Sequence, residues 1–182
     1  KRPMVQVHVR APTMEIFFLI INLSFALLVF FLTIAFVTGA PFVPSTNKST
    51  SALIRLSKLR PGMNFYDLGS GDGRLLFEAA KKGANAYGIE INPFLVIYTY
   101  VRKILSPDRS LIHVRLGNFW NAEIEKADVI SIYLLPWRME KLEKLLMHKT
   151  KKGTIIVSNS FVFPHLKKIG QDTKTHSFAF RT

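Results

Sequence analysis

A run of 22 residues without any charged side chain, Ile16 to Val37, is the strongest constraint on this chain. As a helix the run reaches about 33 Å, enough to cross a hydrocarbon core of roughly 30 Å. A cleaved signal peptide has a shorter apolar core, and Pro41 is an awkward neighbour for cleavage. A buried core helix of this length would have no solvent face. The run predicts a transmembrane helix over residues 16–38, after a short basic segment over residues 1–15.

Composition narrows the possible functions. The 182 residues carry a formal net charge of +13, which favours anionic surroundings, either lipid headgroups or nucleic acid. There is no cysteine, so disulfides, thiolate metal sites and thiol catalysis are excluded. The five histidines are scattered without a pair at metal-ligand spacing, and no metal site is predicted.

After the apolar run, residues 39–60 predict a linker with an amphipathic helix, and residues 61–182 predict an α/β domain. Alternating apolar runs and helical patterns indicate a mostly parallel sheet with helices on both faces. Two short β-prone pieces near the C-terminus predict an antiparallel edge hairpin. The predicted strands are 64–68, 86–90, 111–116, 129–134, 154–158, 166–169 and 175–180, and the predicted helices are 50–59, 74–82, 93–105 and 138–147.

A glycine-rich loop follows the first predicted strand in the sequence NFYDLGSGDGR, residues 64–74. Free backbone N–H groups in a strand–glycine–helix turn can donate hydrogen bonds to an anionic or polar ligand, and glycine lets that ligand approach closely. An acid precedes the loop at Asp67, and a second acid, Glu90, ends the next strand at a separation typical of ribose binding. This pattern predicts a site for S-adenosylmethionine, whereas the alternative is an ordinary structural turn. The loop residues concerned are Gly69, Ser70, Gly71 and Gly73.

Two later segments supply further candidates at the carboxyl ends of strands. The amide of Asn118 is a candidate partner for the adenine edge, with Phe119 or Trp120 over the ring, although a helix N-cap with core aromatics explains this segment equally well. Tyr133, Pro136 and Trp137 follow the fourth strand. They predict an apolar acceptor channel, which would lower the pKa of a substrate lysine, and the alternative is a set of core aromatics.

These motifs together resemble the class I methyltransferases that methylate protein lysines. The resemblance includes DLGSGDGR, GIEINP, GNFW, SIYLLP, FVFPH and PFVPS before the loop. The chain is most similar to the membrane-anchored mitochondrial enzymes that act on the ATP synthase c subunit and the adenine nucleotide translocase, and to broad-specificity archaeal lysine methyltransferases. The implied fold is a Rossmann-like, mostly parallel seven-stranded sheet with an antiparallel C-terminal hairpin.

The resemblance implies roles for individual residues. Asp67 and the glycine loop would hold the methionyl end of the cofactor, Glu90 the ribose and Asn118 the adenine, while Pro44 and Ser45 would close over it. Ser45 stands where the family often has threonine, and Asn118 stands where it often has an acid. From the residues alone, a linker is the simpler interpretation of the segment around Ser45.

The predicted function is that of a single-pass, membrane-anchored methyltransferase that uses S-adenosylmethionine and modifies lysine on a membrane or membrane-associated protein. Charge alone leaves the topology balanced, so the domain is placed on the side where the cofactor is made, in a bacterial or archaeal cytoplasm or facing the mitochondrial matrix. Alternatives are a methyltransferase for a small molecule or lipid such as a quinone, and a non-catalytic cofactor-binding module. No specific nucleic acid is expected as partner, and the oligomeric state stays open.

Overall fold

The computed structural model describes residues 13–38 and 45–182, with side chains described for 14–33 and 45–182. Five α-helices and seven strands lie in these ranges. The helices are α1 (Thr13–Thr38), α2 (Asn47–Ser57), α3 (Arg74–Lys81), α4 (Pro93–Ile104) and α5 (Met139–Lys149). The strands are β1 (Asn64–Leu68), β2 (Asn85–Glu90), β3 (Ile112–Leu116), β4 (Val129–Ile132), β5 (Ile155–Asn159), β6 (Lys167–Asp172) and β7 (Ser177–Arg181). Short 3-10 helices occur at Arg109–Leu111, Phe119–Asn121 and Pro136–Arg138.

The seven strands form one sheet in the order β3-β2-β1-β4-β5-β7-β6. The first five strands are parallel to one another, while β7 runs antiparallel to both β5 and β6. The chain reverses its direction of progress across the sheet between β1 and β4, and ligands of open α/β sheets bind at such a switch point. The predicted fold, including the antiparallel hairpin at the edge, is confirmed.

Alternation along the strands divides the core into two clusters, because successive side chains of a strand point to opposite faces. Val129 and Val157 belong to the cluster that includes residues of α2 and α3. Ile130 and Ile156 belong to the cluster that includes residues of α5. All four are completely buried. Strands covered on both faces explain the nearly continuous apolar runs in the sequence.

The predicted apolar run lies in α1, which extends from Thr13 to Thr38. The part Met14–Thr33 is long and apolar enough to cross a membrane, and none of it is buried within the protein. Two of its polar side chains bond to carbonyl groups one turn earlier, Asn22 to Phe18 and Thr33 to Val29, each at 2.8 Å. These polar groups are thus satisfied within the helix itself, as an apolar solvent requires.

Most boundaries differ by one to three residues from the sequence prediction, and two of these differences affect the candidate site. Helix α2 begins at Asn47, not near residue 50, because the hydroxyl of Thr46 caps it by accepting a hydrogen bond from the Ser49 N–H at 3.1 Å. Strand β4 ends at Ile132, two residues earlier than expected, so Tyr133 lies in the loop that leaves the sheet. This places Tyr133 at the edge where the other site candidates lie.

Candidate functional site

The glycine loop connects β1 to α3 at the carboxyl edge of the sheet. Its backbone is held by the neighbouring strand, since the N–H groups of Gly69 and Ser70 both donate to the carbonyl of Ile89, at 2.8 and 3.1 Å. Gly69, Gly71 and Gly73 all have positive φ angles, of 85°, 55° and 76°. Three left-handed residues at alternate positions require glycine, which explains the Gly-x-Gly-x-Gly spacing.

Glu90 ties this loop to the end of β2. Its carboxylate is buried and accepts hydrogen bonds from the backbone N–H groups of Gly71 and Asn92, each at 2.8 Å. One carboxylate oxygen thus accepts a hydrogen bond from the loop, and the other accepts one from the N-cap residue of α4. Each carboxylate oxygen retains a further lone pair, so Glu90 can still accept a hydrogen bond from a ligand hydroxyl.

Asp67 is the second buried acid of the site. Removal from water raises the pKa of its carboxyl to about 8, with smaller contributions from the negative charges of Glu90 and Asp72. A hydrogen bond with Ser131, its register partner on β4, acts in the opposite direction. A buried acid of this kind is stabilised in its charged form when a cationic group is placed beside it.

The loop has space for a ligand. A Cβ atom built on Gly69 would meet no atom within 4 Å, so this position is open. The hydroxyl of Ser70 is completely enclosed and faces β2, since a Cβ atom built on Gly88 would lie 2.7 Å from it. Two buried acids and an open glycine backbone fit a polar ligand that carries hydroxyl and ammonium groups.

Helix α4 supports the loop from behind. The Thr99 hydroxyl donates to the carbonyl of Gly71 at 3.3 Å, and the guanidinium of Arg102 donates to the carbonyl of Asp72 at 2.8 Å. Arg102 also packs over the ring of Phe77 on α3, 4.3 Å from its centre. A Cβ on Gly73 would lie only 2.5 Å from the Thr99 methyl group, so the loop and α4 are in direct contact.

Ser45 lies near the loop although it is distant in sequence. Its carbonyl accepts a hydrogen bond from Arg74 at the start of α3, and its hydroxyl accepts one from the side chain of Asn159 at the end of β5, at 3.3 Å. These contacts place the beginning of the described domain across two strand ends. Pro44, the other residue expected to close over the cofactor, lies outside the described residues.

The segment after β3 has the geometry of a helix cap. The side-chain oxygen of Asn118 accepts a hydrogen bond from the Trp120 N–H at 3.1 Å and begins a 3-10 helix. Asn118 is exposed, and its amide N–H groups are not used in this cap. Phe119 is buried in the core with Leu68 and Ile89, whereas Trp120 is only partly buried. Of the two rings, that of Trp120 is the more accessible to a ligand.

The candidate acceptor residues lie beyond β4. Tyr133 is partly buried and stacks on Phe161, with ring centres 6.1 Å apart. Pro136 and Trp137 begin a 3-10 helix, and both are exposed, Trp137 to 65%. The described residues therefore pair Tyr133 with Phe161 and leave Pro136 and Trp137 on an open surface.

The segment that carries Phe161 is fixed by a buried acid. Glu143 of α5 is 2% exposed and accepts hydrogen bonds from the backbone N–H of His165 at 2.9 Å and from its ring Nδ1 at 3.2 Å. The segment from Phe161 to His165 is thus held against α5 at one end. Neither Glu143 nor Phe161 is among the predicted site residues.

Sequence reasoning also missed four polar residues that position the site. They are Thr99 and Arg102, which support the loop, Ser131, which contacts Asp67, and Asn159, which contacts Ser45. Ser131 and Asn159 had a signal, because each is a polar residue within or at the end of a buried strand. Thr99 and Arg102 belong to a helix, and nothing in their spacing indicates the loop that they support.

Comparison with known proteins gives consistent results. The family described as ANTKMT methyltransferase domain matches residues 67–169. The human lysine N-methyltransferase of the ATP synthase c subunit is 33% identical over 125 residues, which cover 69% of this chain and 53% of that protein. A protein-lysine N-methyltransferase of Saccharolobus islandicus (strain REY15A) is 30% identical over 129 residues, covering 70% of this chain and 80% of that protein. The chain spans about half the length of the vertebrate relatives it matches.

Among solved structures, one of an RNA methyltransferase from Salinibacter ruber in complex with S-adenosyl-L-homocysteine is similar, with a TM-score of 0.71 and 30% sequence identity. The match covers 76% of this chain and 92% of that one. A methyltransferase from Thiobacillus denitrificans, also with S-adenosyl-L-homocysteine, has a TM-score of 0.56 at 21% identity and supports the fold alone.

Proposed function

Because this chain belongs to the family of ANTKMT methyltransferase domains, we propose that it is a membrane-anchored, S-adenosylmethionine-dependent protein-lysine N-methyltransferase. The observation that carries the proposal is the pair of buried acids, Asp67 and Glu90, on either side of an open glycine loop. The proposed substrate is a protein in or at the same membrane. This substrate class is supported by the names of the relatives, whose full lengths the chain does not cover.

The cofactor supplies an electrophilic methyl group when bound, and the residues of the chain hold it. We assign Asp67 to the ammonium group of its methionyl part and Glu90 to the ribose hydroxyls. The open position at Gly69 allows the cofactor to approach the backbone of the loop closely. Asn118 and Trp120 are assigned to the adenine, and Ser45 to the cover of the site.

For the acceptor, the aromatic pair of Tyr133 and Phe161 is the proposed wall of the lysine site. An amine attacks only when it is neutral, and apolar surroundings lower the pKa of a lysine by disfavouring its charged form. Alignment of the amine with the methyl group and exclusion of water would then provide the remaining rate enhancement. Exposed Pro136 and Trp137 are assigned to contact with the protein that carries the lysine.

The anchor is assigned to α1, which is apolar on every side. A shared membrane raises the effective concentration of a membrane-embedded substrate without additional contacts. The domain would then lie on the side of the membrane where S-adenosylmethionine is present. The short basic segment before residue 13 and the linker over residues 39–44 lie outside the described residues.

The test is incubation of the full chain with radiolabelled S-adenosylmethionine and membranes from its own source, followed by separate counting of protein, lipid extract and RNA. Label in a protein band that maps to lysine is the expected result. Label in lipid would favour the small-molecule or quinone alternative, and label in RNA would favour the activity named for the Salinibacter protein. Either result would overturn the lysine proposal.

A measurement of cofactor binding tests the assigned cofactor site independently of methyl transfer. In isothermal titration Glu90→Ala should abolish binding, whereas Glu123→Gln, a charge change at an exposed position, should leave it unchanged. Binding that is intact in Glu90→Ala would show that the site is misplaced. Binding without any methylated product would favour a non-catalytic module.

A further inference from the structure

Helix α4 carries an exposed apolar face that the proposed chemistry does not use. Seven large apolar or aromatic side chains on α4 and its C-cap are each 52–81% exposed. Outside α1, only four other large hydrophobic residues of the described chain are exposed to this degree. We define the α4 stripe as the six of the seven that follow helical spacing: Phe94, Ile97, Tyr98, Val101, Ile104 and Leu105.

The α4 stripe has the geometry of a helix that lies on an apolar surface. Its residues recur every three or four positions, so they form one line about 16 Å long. Thr99, on the opposite side, is completely buried against the glycine loop. The apolar line therefore faces away from the domain, and a contiguous apolar patch of this kind marks an interaction surface.

The contact between α4 and α1 indicates what covers the stripe. Phe31 of α1 packs edge-to-face on Phe94, the first residue of the stripe, with ring centres 5.7 Å apart. Phe31 lies two residues before the end of the apolar part Met14–Thr33. The stripe therefore begins beside the helix that is assigned to the membrane, close to the end from which the chain enters the domain.

The charged and aromatic residues of α4 fit the same position. Arg102 and Lys103 are the charged residues of α4, and the helix has no acid. Lys103 lies over the ring of Tyr100, with its amine 6.0 Å from the ring centre. A helix that carries tyrosine in its apolar face and only basic charges is typical of the boundary between lipid tails and anionic headgroups. Contact between two copies would instead bring together two chains of like charge, since each carries a formal net charge of +13.

We propose that the α4 stripe lies in the headgroup boundary of the membrane, with an anionic phospholipid bilayer as its occupant. The proposal rests on the proposed anchoring by α1 and adds a second point of contact to it. Two contacts would fix the orientation of the domain relative to the bilayer more firmly than α1 alone. The glycine loop would then lie one helix diameter, about 10 Å, from the lipid surface.

The absence of cysteine allows a direct test, because single cysteines can be introduced and labelled with the environment-sensitive fluorophore NBD. The full chain is reconstituted in vesicles of phosphatidylcholine and phosphatidylserine, with or without brominated acyl chains as quenchers. The probes are Ile97→Cys, Val101→Cys and Leu105→Cys. Leu23→Cys in α1 is the positive control, and Lys144→Cys, exposed on α5, is the negative control.

The expected result is blue-shifted emission and at least about twofold quenching at the three stripe positions and at Leu23, with none at Lys144. Quenching at Leu23 alone would overturn the proposal while leaving the anchor intact. Absence of quenching at Leu23 as well would show that the proposed anchoring is wrong. Blue-shifted but unquenched stripe positions would mean that protein, such as a second copy, covers the stripe, and would also overturn the proposal.

Discussion

Two buried acids at neighbouring strand ends have different tasks in the folded chain. Glu90 uses both carboxylate oxygens to hold backbone N–H groups, so it organises the loop before any ligand arrives. Asp67 bonds to Ser131 on the next strand, and burial raises its pKa to about 8. At neutral pH Asp67 is therefore largely protonated in the free protein, and its charge becomes favourable only with a cation beside it.

The raised pKa of Asp67 makes stability depend on pH. The native state keeps a proton on this group over a range in which the unfolded chain, with a pKa of 3.8, has already lost it. The contribution of Asp67 to the free energy of unfolding therefore falls as the pH rises from about 4 to about 8, by at most about 1.4 kcal/mol per unit. We expect Asp67→Asn to raise the melting temperature at pH 8.5 more than at pH 5.

This prediction is checked by thermal unfolding of the full chain in detergent, without cofactor, across that pH range. Asp108→Asn, which removes the same type of side chain from the loop after α4, provides the control. A melting-temperature difference between Asp67→Asn and the native chain that does not change with pH would contradict the assignment.

Two glycines of one loop should respond differently to alanine. Both have positive φ angles, so each substitution costs about 1–2 kcal/mol of strain. At Gly73 the new methyl group would also collide with Thr99, whereas at Gly69 it would enter open space. We expect Gly73→Ala to lower the melting temperature by more than Gly69→Ala does, and Gly69→Ala to weaken cofactor binding at least about tenfold at a modest loss of stability.

Melting temperature and isothermal titration of the same two preparations provide the measurement. Equal losses of stability with full binding in Gly69→Ala would mean that the open position does not receive the ligand.

At the scale of elements, α5 and the segment after β5 are joined through Glu143. Replacing Glu143 by alanine removes the hydrogen bond from the backbone N–H of His165, an exposed residue, a loss of about 0.5–1.5 kcal/mol. We expect a raised KM for the protein substrate, because Phe161 lies in the released segment, and an unchanged Kd for the cofactor. Glu143→Gln keeps an acceptor for the His165 N–H and should have a smaller effect.

Glu140→Gln is the matched control for this prediction, since Glu140 lies on the same helix but is exposed and forms an ion pair with Lys144. Steady-state kinetics and cofactor titration of the three variants decide the outcome. A weakened cofactor Kd in Glu143→Ala would place the segment on the cofactor side of the site instead.

The elements themselves could be predicted from the sequence because their patterns are local. The strand β1 and the start of α3 agree with the predicted bounds, and the antiparallel hairpin at the sheet edge is confirmed. The family resemblance is likewise confirmed. The contacts that hold the site together were not predictable, because Ser45 and Asn159 are 114 positions apart and meet only after the sheet is assembled.

The packing of α4 was also beyond sequence reasoning. The sequence predicts a helix over residues 93–105 on one face of the sheet, and an apolar stripe usually marks the face that such a helix buries. In the structure that face is exposed, and the buried side is the one that carries Thr99. Periodicity shows that a helix has an apolar face, but it does not show which solvent that face meets.

At the scale of the whole molecule, the proposed lipid contact and the cofactor site share α4. We expect the full chain to bind S-adenosylmethionine about two- to fivefold more tightly in anionic vesicles than in detergent, because a helix ordered by lipid holds the loop at lower entropic cost. Val101→Glu should remove that difference, whereas Lys144→Glu on α5 should not. Isothermal titration in vesicles and in detergent provides the test. Equal affinities for S-adenosylmethionine would show that lipid contact on α4 does not affect the glycine loop.

Helix α4 has one side against the glycine loop and the other side open, with no second layer between them. A lipid contact that orders the α4 stripe would therefore act directly on the glycine loop. For a chain with this arrangement, activity would depend in part on location, because a copy outside its bilayer would bind its methyl donor more weakly. Copies outside the membrane would then consume less methyl donor and methylate fewer proteins elsewhere in the cell.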